Sequence, residues 1–203
     1  MLRVGLTGGI ACGKSTVAAI LREMKFRVLD ADLLAHQLIE PGQPAYEEVL
    51  RAFGREICDP QGRIERARLG GVVFADPAKL ARLNRIVHPR VLETSDRQFA
   101  EWAKTEPRGV AFIEAALLVE AGYHRRLDRL VVAWCTPDQQ RERLTGRGMT
   151  REEAEQRIGA QMPIEEKKRF ATDLIDCSGT LEETRKQVEA LAARLQEQAR
   201  GVP

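Results

Sequence analysis

No Cys-x-x-Cys pair occurs in the 203 residues, and the four cysteines, Cys12, Cys58, Cys135 and Cys177, are scattered along the chain. That spacing argues against a zinc site or a disulfide framework and for free thiols in a reducing compartment. No segment approaches the about 20 apolar residues of a membrane span. The longest uncharged stretch near the N-terminus, Val4–Gly13, is short and rich in glycine. Met1-Leu2-Arg3 leads straight into Val4 without the ordered regions of a secretory signal, so a cytoplasmic location is expected. Neither sign of charge dominates, since 32 basic and 30 acidic residues leave +2. Proteins held to nucleic acid by bulk charge carry a basic excess or face, so no nucleic-acid partner is expected. Internal repeats and low-complexity segments are also absent.

What remains is an ordinary globular composition, 43% apolar and 31% charged, long enough for one substantial core with insertions. Short apolar runs alternate with longer amphipathic ones, the pattern of strands and helices around a parallel sheet. Candidate strands are Leu2–Thr7, Arg27–Asp30, Val110–Glu114, Arg129–Ala133 and Asp173–Asp176, each rich in Val, Ile or Leu as a strand buried on both faces should be. The 80 or so residues between the second and third carry turn signals at Pro41-Gly42 and Asp59-Pro60-Gln61-Gly62. Helical patterns follow at Pro77–Val87 and Pro89–Lys104, with His88-Pro89 as the boundary between them. Such a stretch is too long for a crossover and reads as a helical insertion that binds substrate. A second polar interlude, Pro137 to about Lys168, is rich in Arg and Glu, with Thr150 as the cap of a helix whose first turn holds Glu152-Glu153. The tail from Thr180 to Arg200 reads as an amphipathic helix, with Leu181, Val188, Leu191 and Leu195 spaced to pack on the sheet.

The strongest signal is Gly8-Gly9-Ile10-Ala11-Cys12-Gly13-Lys14-Ser15, which fits G-x-x-x-x-G-K-[ST] between an apolar strand and the helical run Ser15–Met24. Glycines let the backbone N–H groups turn inward around phosphates, and the helix N-terminus adds partial positive charge. Lys14 would reach the β- and γ-phosphates of ATP, and the Ser15 hydroxyl would coordinate Mg²⁺. Cys12 is either a small side chain whose N–H does the work or a redox-sensing thiol.

Other features narrow the class. The guanine-reading N/T-K-x-D motif of GTPases is missing, and no buried strand precedes Asp59-Pro60-Gln61-Gly62, which reads as a turn. Glu114 ends a buried strand, where it either holds a magnesium-bound water or only caps the strand. Asp30 and Asp32 sit at the carboxyl end of the second strand, where open sheets bind ligands. On an extended segment the two would point the same way; one of them accepts the proton of an attacking hydroxyl unless it merely caps the helix Leu33–Ile39. Arg143 and Arg147 share a helical face, either as a solvated surface or as a lid on the transferred phosphate. Of the 32 basic residues 25 are arginine, which suits phosphate recognition but also follows from genome bias. These features favour a small-molecule kinase over a nucleotide-dependent binding protein.

Together the residues resemble the dephospho-coenzyme A kinase family. The resemblance rests on Leu6–Thr16 and Asp30-Ala31-Asp32, then Pro41-Gly42, Pro44-Ala45, Gly62 to Arg66, Val73-Phe74, His88-Pro89, Leu117-Leu118, Gln140 with Arg143 and Arg147, and Gln161. It implies an α/β P-loop kinase fold with a five-stranded parallel sheet. The core would take residues 1–30, 108–136 and 170–203, a helical CoA-binding insertion 31–107, and an arginine-rich lid 137–168. It also implies that ATP phosphorylates the ribose 3′-hydroxyl of dephospho-CoA. Asp32 would be the general base, Lys14 and Arg143 the phosphate stabilisers, and residues 11–16 the nucleotide loop. Gly8, Gly9 and Arg147 complete the nucleotide contacts, and Arg66 and His88 lie on the substrate side. Three places depart from the family pattern, Ala171-Thr172, Cys177-Ser178-Gly179 and Glu114-Ala115-Ala116, and they touch adenine-side and sheet-end contacts.

Overall fold

Strand β1 (Leu2–Gly8) lies at the centre of a five-stranded sheet and is buried on both faces, which is why its apolar run is continuous. The computed structural model describes residues 1–201, the Phe74 side chain excepted. With β2 (Arg27–Asp30), β3 (Val110–Glu114), β4 (Arg129–Trp134) and β5 (Asp173–Asp176), the sheet order is β2-β3-β1-β4-β5 and every pairing is parallel. The register sets Leu6 beside Glu114 on one side of β1 and Gly8 beside Ala133 on the other. The chain enters β3 on one side of β1 and β4 on the other, so strand order reverses around β1 and opens a crevice at its carboxyl end.

One face of the sheet presents Val4, Leu6 and Phe112 to helix α1 (Lys14–Glu23) and to the last helix, α9 (Leu181–Arg200). The opposite face approaches β1 so closely that Gly5 has Leu118, Leu127 and Leu130 where a side chain would begin. Helix α9 starts with a capping box, Thr180 Oγ1 accepting from Glu183 N–H and Glu183 answering at Thr180 N–H. Leu181 does not pack on the sheet as its spacing predicts. It is 61% exposed, because it occupies the first helical position, and the buried stripe begins only at Thr184.

Two compact units divide the chain: Met1–Asp30 with the chain from Phe99 onward, and Ala31–Gln98. The first holds the sheet, α1, α9 and the three short helices α6 (Pro137–Thr145), α7 (Arg151–Gly159) and α8 (Ile164–Lys168), as numbered along the chain. Thr136 with Gln139 and Thr150 with Glu153 form capping boxes that start α6 and α7. The second unit is helical, with α2 (Ala31–Gln37), α3 (Tyr46–Phe53), α4 (Arg66–Phe74) and α5 (Pro77–Thr105) as far as Gln98. In it Asp59–Gly62 is a turn, Asp59 Oδ1 accepting from Gln61 N–H at 3.0 Å and Arg63 N–H at 2.8 Å. The predicted boundary at His88-Pro89 is absent, since α5 runs unbroken for 29 residues with Pro89 inside it. Proline removes one N–H bond but accepts the helical φ. Burial of Ile86, Val87 and Val91 around it offsets that loss. No described helix is long and apolar enough to cross a membrane.

Gly8 owes its identity to the neighbouring strand, since a Cβ there would lie 2.4 Å from the Ala133 carbonyl oxygen. Gly8→Ala must prise β1 from β4 and should cost about 2 kcal/mol or more. Gly71, inside α4 with nothing near its missing Cβ, is the control. Gly71→Ala should be neutral or stabilise by up to ~1 kcal/mol. Thermal unfolding of both variants checks the contrast.

Candidate active site

The crevice is occupied by the loop that links β1 to α1. Ala11 and Gly13 carry φ of 59° and 91°, and Cys12 N–H closes back on Gly9 O at 3.1 Å. Left-handed residues at this spacing make the tight turn that delivers Lys14 to the first position of α1. Ser15 and Thr16 follow on the exposed side of its first turn.

Lys14 Nζ lies 3.2 Å from Glu114 Oε2, and Arg22 bonds the other oxygen of the same carboxylate. Glu114 is 3% exposed at the end of β3. It is the buried counter-ion of the loop lysine and of Arg22.

Arg143, on α6, donates from Nη1 to Ala11 O at 3.1 Å and from Nη2 to Cys177 O at 2.7 Å, tying the loop to the end of β5. Arg147 does not share its helical face as predicted. Helix α6 stops at Thr145 with Gly146 as its cap, and Arg147 stands beyond it, exposed. Both arginines nevertheless line one cleft of about 260 Å³ with Ala11, Gly13, Thr16 and Cys177. The Cys177–Gly179 departure from the family pattern thus borders the loop, whereas Thr172 hydrogen-bonds Leu130 at the opposite end of β4.

The acidic pair is divided. Asp30 closes β2 in register with Glu114, while Asp32 stands in the first turn of α2, in the second unit. Helix α2 begins at Ala31, directly after the strand, so the extended geometry assumed for the pair does not exist. Arg66 is the exposed first residue of α4, and His88 is half-buried in α5. Burial holds the His88 imidazole below its ordinary range. The structure joins neither to another described residue by a side-chain hydrogen bond or ion pair.

Cys135 Sγ donates to Cys12 Sγ across 3.6 Å, and both side chains are fully buried. That hydrogen bond lowers the pKa of the Cys12 thiol and raises that of Cys135, which keeps its proton. Burial pushes the Cys177 thiol up to about 11. All four cysteines are free.

Lys167 was not visible as a structural residue in the sequence. It is fully buried on α8, donates to Ala116 O at 2.8 Å and pairs with Glu120 at 3.0 Å. Thr7, within β1, donates to the same carbonyl. Lys167 falls at the end of the polar interlude rich in Arg and Glu, and nothing short of the tertiary contact distinguishes it from Lys168.

The profile of the dephospho-CoA kinase family matches residues 2–183. The chain belongs to the dephospho-CoA kinase family. A dephospho-CoA kinase of Geobacter metallireducens is 46% identical over 192 residues, 94% of this chain and 95% of that protein. Among solved structures, the Thermus thermophilus protein TT1252 superposes with a TM-score of 0.78 at 35% identity, over 96% of this chain and 97% of its own. The dephospho-CoA kinase from Campylobacter jejuni gives 0.72 at 25% identity, over 98% of each chain. The family's α/β kinase fold, with five parallel strands, is the fold found here. The chain is accordingly a kinase, and ATP is its co-substrate.

Lys14→Ala should leave the fold intact, because Arg22 still neutralises Glu114. Loss of its charge from the developing phosphoryl group should lower turnover by ~100-fold or more. Parallel kinetics and thermal unfolding of the variant test both halves of this expectation.

Proposed function

We propose that the chain transfers the γ-phosphoryl group of ATP to the ribose 3′-hydroxyl of dephospho-CoA, the last step of coenzyme A synthesis. The observation that carries this reading is a phosphate loop at the head of the central strand in a chain matched by the family profile over residues 2–183. Backbone N–H groups of residues 11–16 cradle the phosphates. Lys14 exchanges Glu114 for the β- and γ-phosphates, a swap its 16% exposed side chain permits. Arg143, already fixed by two carbonyls, adds charge at the transferred group, and Arg147 closes the same cleft. Segment 137–168 serves as the lid, which excludes water while transfer occurs.

Mg²⁺ fits the loop as a partner of the triphosphate. It takes oxygen ligands and keeps substrate phosphates and waters in its shell. The exposed Ser15 hydroxyl suits that role. The described residues hold no cluster of three or more acidic, histidine or cysteine side chains to bind it alone. When bound, the ion neutralises charge on the β- and γ-phosphates.

The acceptor side falls to the helical unit 31–98, with Arg66 and His88 as substrate contacts. Asp32 accepts the proton of the 3′-hydroxyl as the bond to phosphorus forms. Asp30 orders the strand end. The enzyme works in the cytosol, where its free thiols stay reduced.

Asp32→Asn keeps size and hydrogen bonding while removing basicity. We expect turnover to fall by roughly 100-fold with ATP affinity little changed, since general-base help is worth about 10²–10⁴-fold. Asp30→Asn should cost less. Steady-state kinetics of the two variants decide between them, and a larger loss in Asp30→Asn reverses the assignment. A panel of acceptors, including nucleoside monophosphates and small sugars, should show transfer to dephospho-CoA above all others.

A further inference from the structure

Two neutral side chains from the 137–168 segment hold the two successive peptides that flank Ile10 in the phosphate loop. Ile10 N–H donates to Gln161 Oε1 at 2.8 Å, and Gln140 Nε2 donates to Ile10 O at 2.8 Å. Gln140 is 5% exposed in the first turn of α6, whose start is fixed by the Thr136–Gln139 capping box. Gln139 in turn donates to Ser178 O at 2.6 Å, so this turn is anchored to the sheet. Gln161 follows the end of α7, and the next N–H, of Met162, donates to the Glu120 carboxylate that pairs with buried Lys167. Gly9 leaves the room for this, since a Cβ there would stand 2.8 Å from Gln140 Nε2.

The consequence follows from peptide geometry. The Ile10 carbonyl and the Ala11 N–H belong to one planar unit and point opposite ways. Holding the carbonyl against Gln140 therefore aims the Ala11 N–H away from Gln140. Among the described residues that N–H has no protein acceptor. Ala11 keeps its unfavourable φ of 59° between two fixed points, the Ile10 peptide and its own carbonyl, which accepts from Arg143. The residue types fit the task. In a segment crowded with Arg and Glu, an amide accepts from an N–H beside incoming phosphates without adding negative charge.

We infer that Gln140 and Gln161 are positioning residues: Gln140 holds the Ile10–Ala11 peptide and Gln161 the Gly9–Ile10 peptide before it, so that the Ala11 N–H faces the phosphate of bound ATP. This rests on the reading of the loop as the ATP cradle. Neither glutamine touches the reacting atoms, and both act through the loop.

The test combines amide hydrogen exchange by NMR with kinetics. In the unmodified protein without nucleotide, the Ile10 N–H should be protected and the Ala11 N–H should exchange freely. A non-hydrolysable ATP analogue should then protect Ala11. Gln140→Leu and Gln161→Leu should lower kcat by about tenfold or more and weaken the Ala11 protection gained with the analogue. Gln161→Glu, which keeps the acceptor but adds charge, should recover much of kcat while raising KM for ATP. Folded Leu variants with ordinary kcat and ordinary Ala11 protection would overturn the role of the glutamines and leave the cradle standing. If the Leu variants fail to fold, exchange in the unmodified protein decides: an unprotected Ile10 N–H, or an Ala11 N–H protected without nucleotide, overturns the proposal. An analogue that protects no loop amide removes the cradle itself.

Discussion

A carboxylate buried at the end of a strand is costly unless cations meet it, and Glu114 is met by two. Its partners come from different places, Lys14 from the first turn of α1 and Arg22 from two turns further along. The two ion pairs therefore tie the end of strand β3 to α1 and the loop that precedes it. Without the two cations Glu114 would be an uncompensated buried charge. Without Glu114 the loop lysine would have no fixed counter-ion before ATP arrives. The arrangement stores Lys14 beside the crevice with its side chain 16% exposed, ready to exchange one set of oxygens for another.

Around that pair the loop is held almost entirely through its backbone. Gly9 O, Ile10 N–H, Ile10 O and Ala11 O are each engaged by a neighbour, and those neighbours come from the loop itself, α6 and the turn after α7. Electrostatic stabilisation of a transition state is effective when the donors need no reorganisation. A strained residue such as Ala11 persists only where the surroundings over-determine it. The arginines, glutamines and buried Lys167 of the 137–168 region supply that over-determination.

Much of this was legible in the sequence, for physical reasons that differ by element. All five strands were visible because each is a short segment built around Val, Ile or Leu, and in the three central ones burial on both faces removes the alternation that blurs other strands. The phosphate loop and the helix cap at Thr150 were visible because their chemistry is local: a glycine for a positive φ, a hydroxyl just before an acidic first turn. Pro89 misled because a proline's local penalty was outweighed by burial on either side of it. The extended segment expected at Asp32 is helix in the structure, and nothing in Asp30-Ala31-Asp32 says where the one ends and the other begins. Arg147 was placed on a helix that ends two residues earlier. Glu114 was recognised as important, but its partners lie 92 and 100 residues away in sequence, where no periodicity reaches. Lys167 was missed for the same reason.

In the proposed reaction the phosphate loop carries ATP and delivers its γ-phosphoryl group to one hydroxyl of dephospho-CoA. Incubation of the protein with ATP, Mg²⁺ and dephospho-CoA, followed by phosphorus–proton correlation NMR of the product, tests it most directly. The account predicts one ADP formed for each new phosphomonoester, with the phosphorus coupled to the ribose 3′ proton. A phosphate at another position, or ATP hydrolysed without transfer, would contradict it.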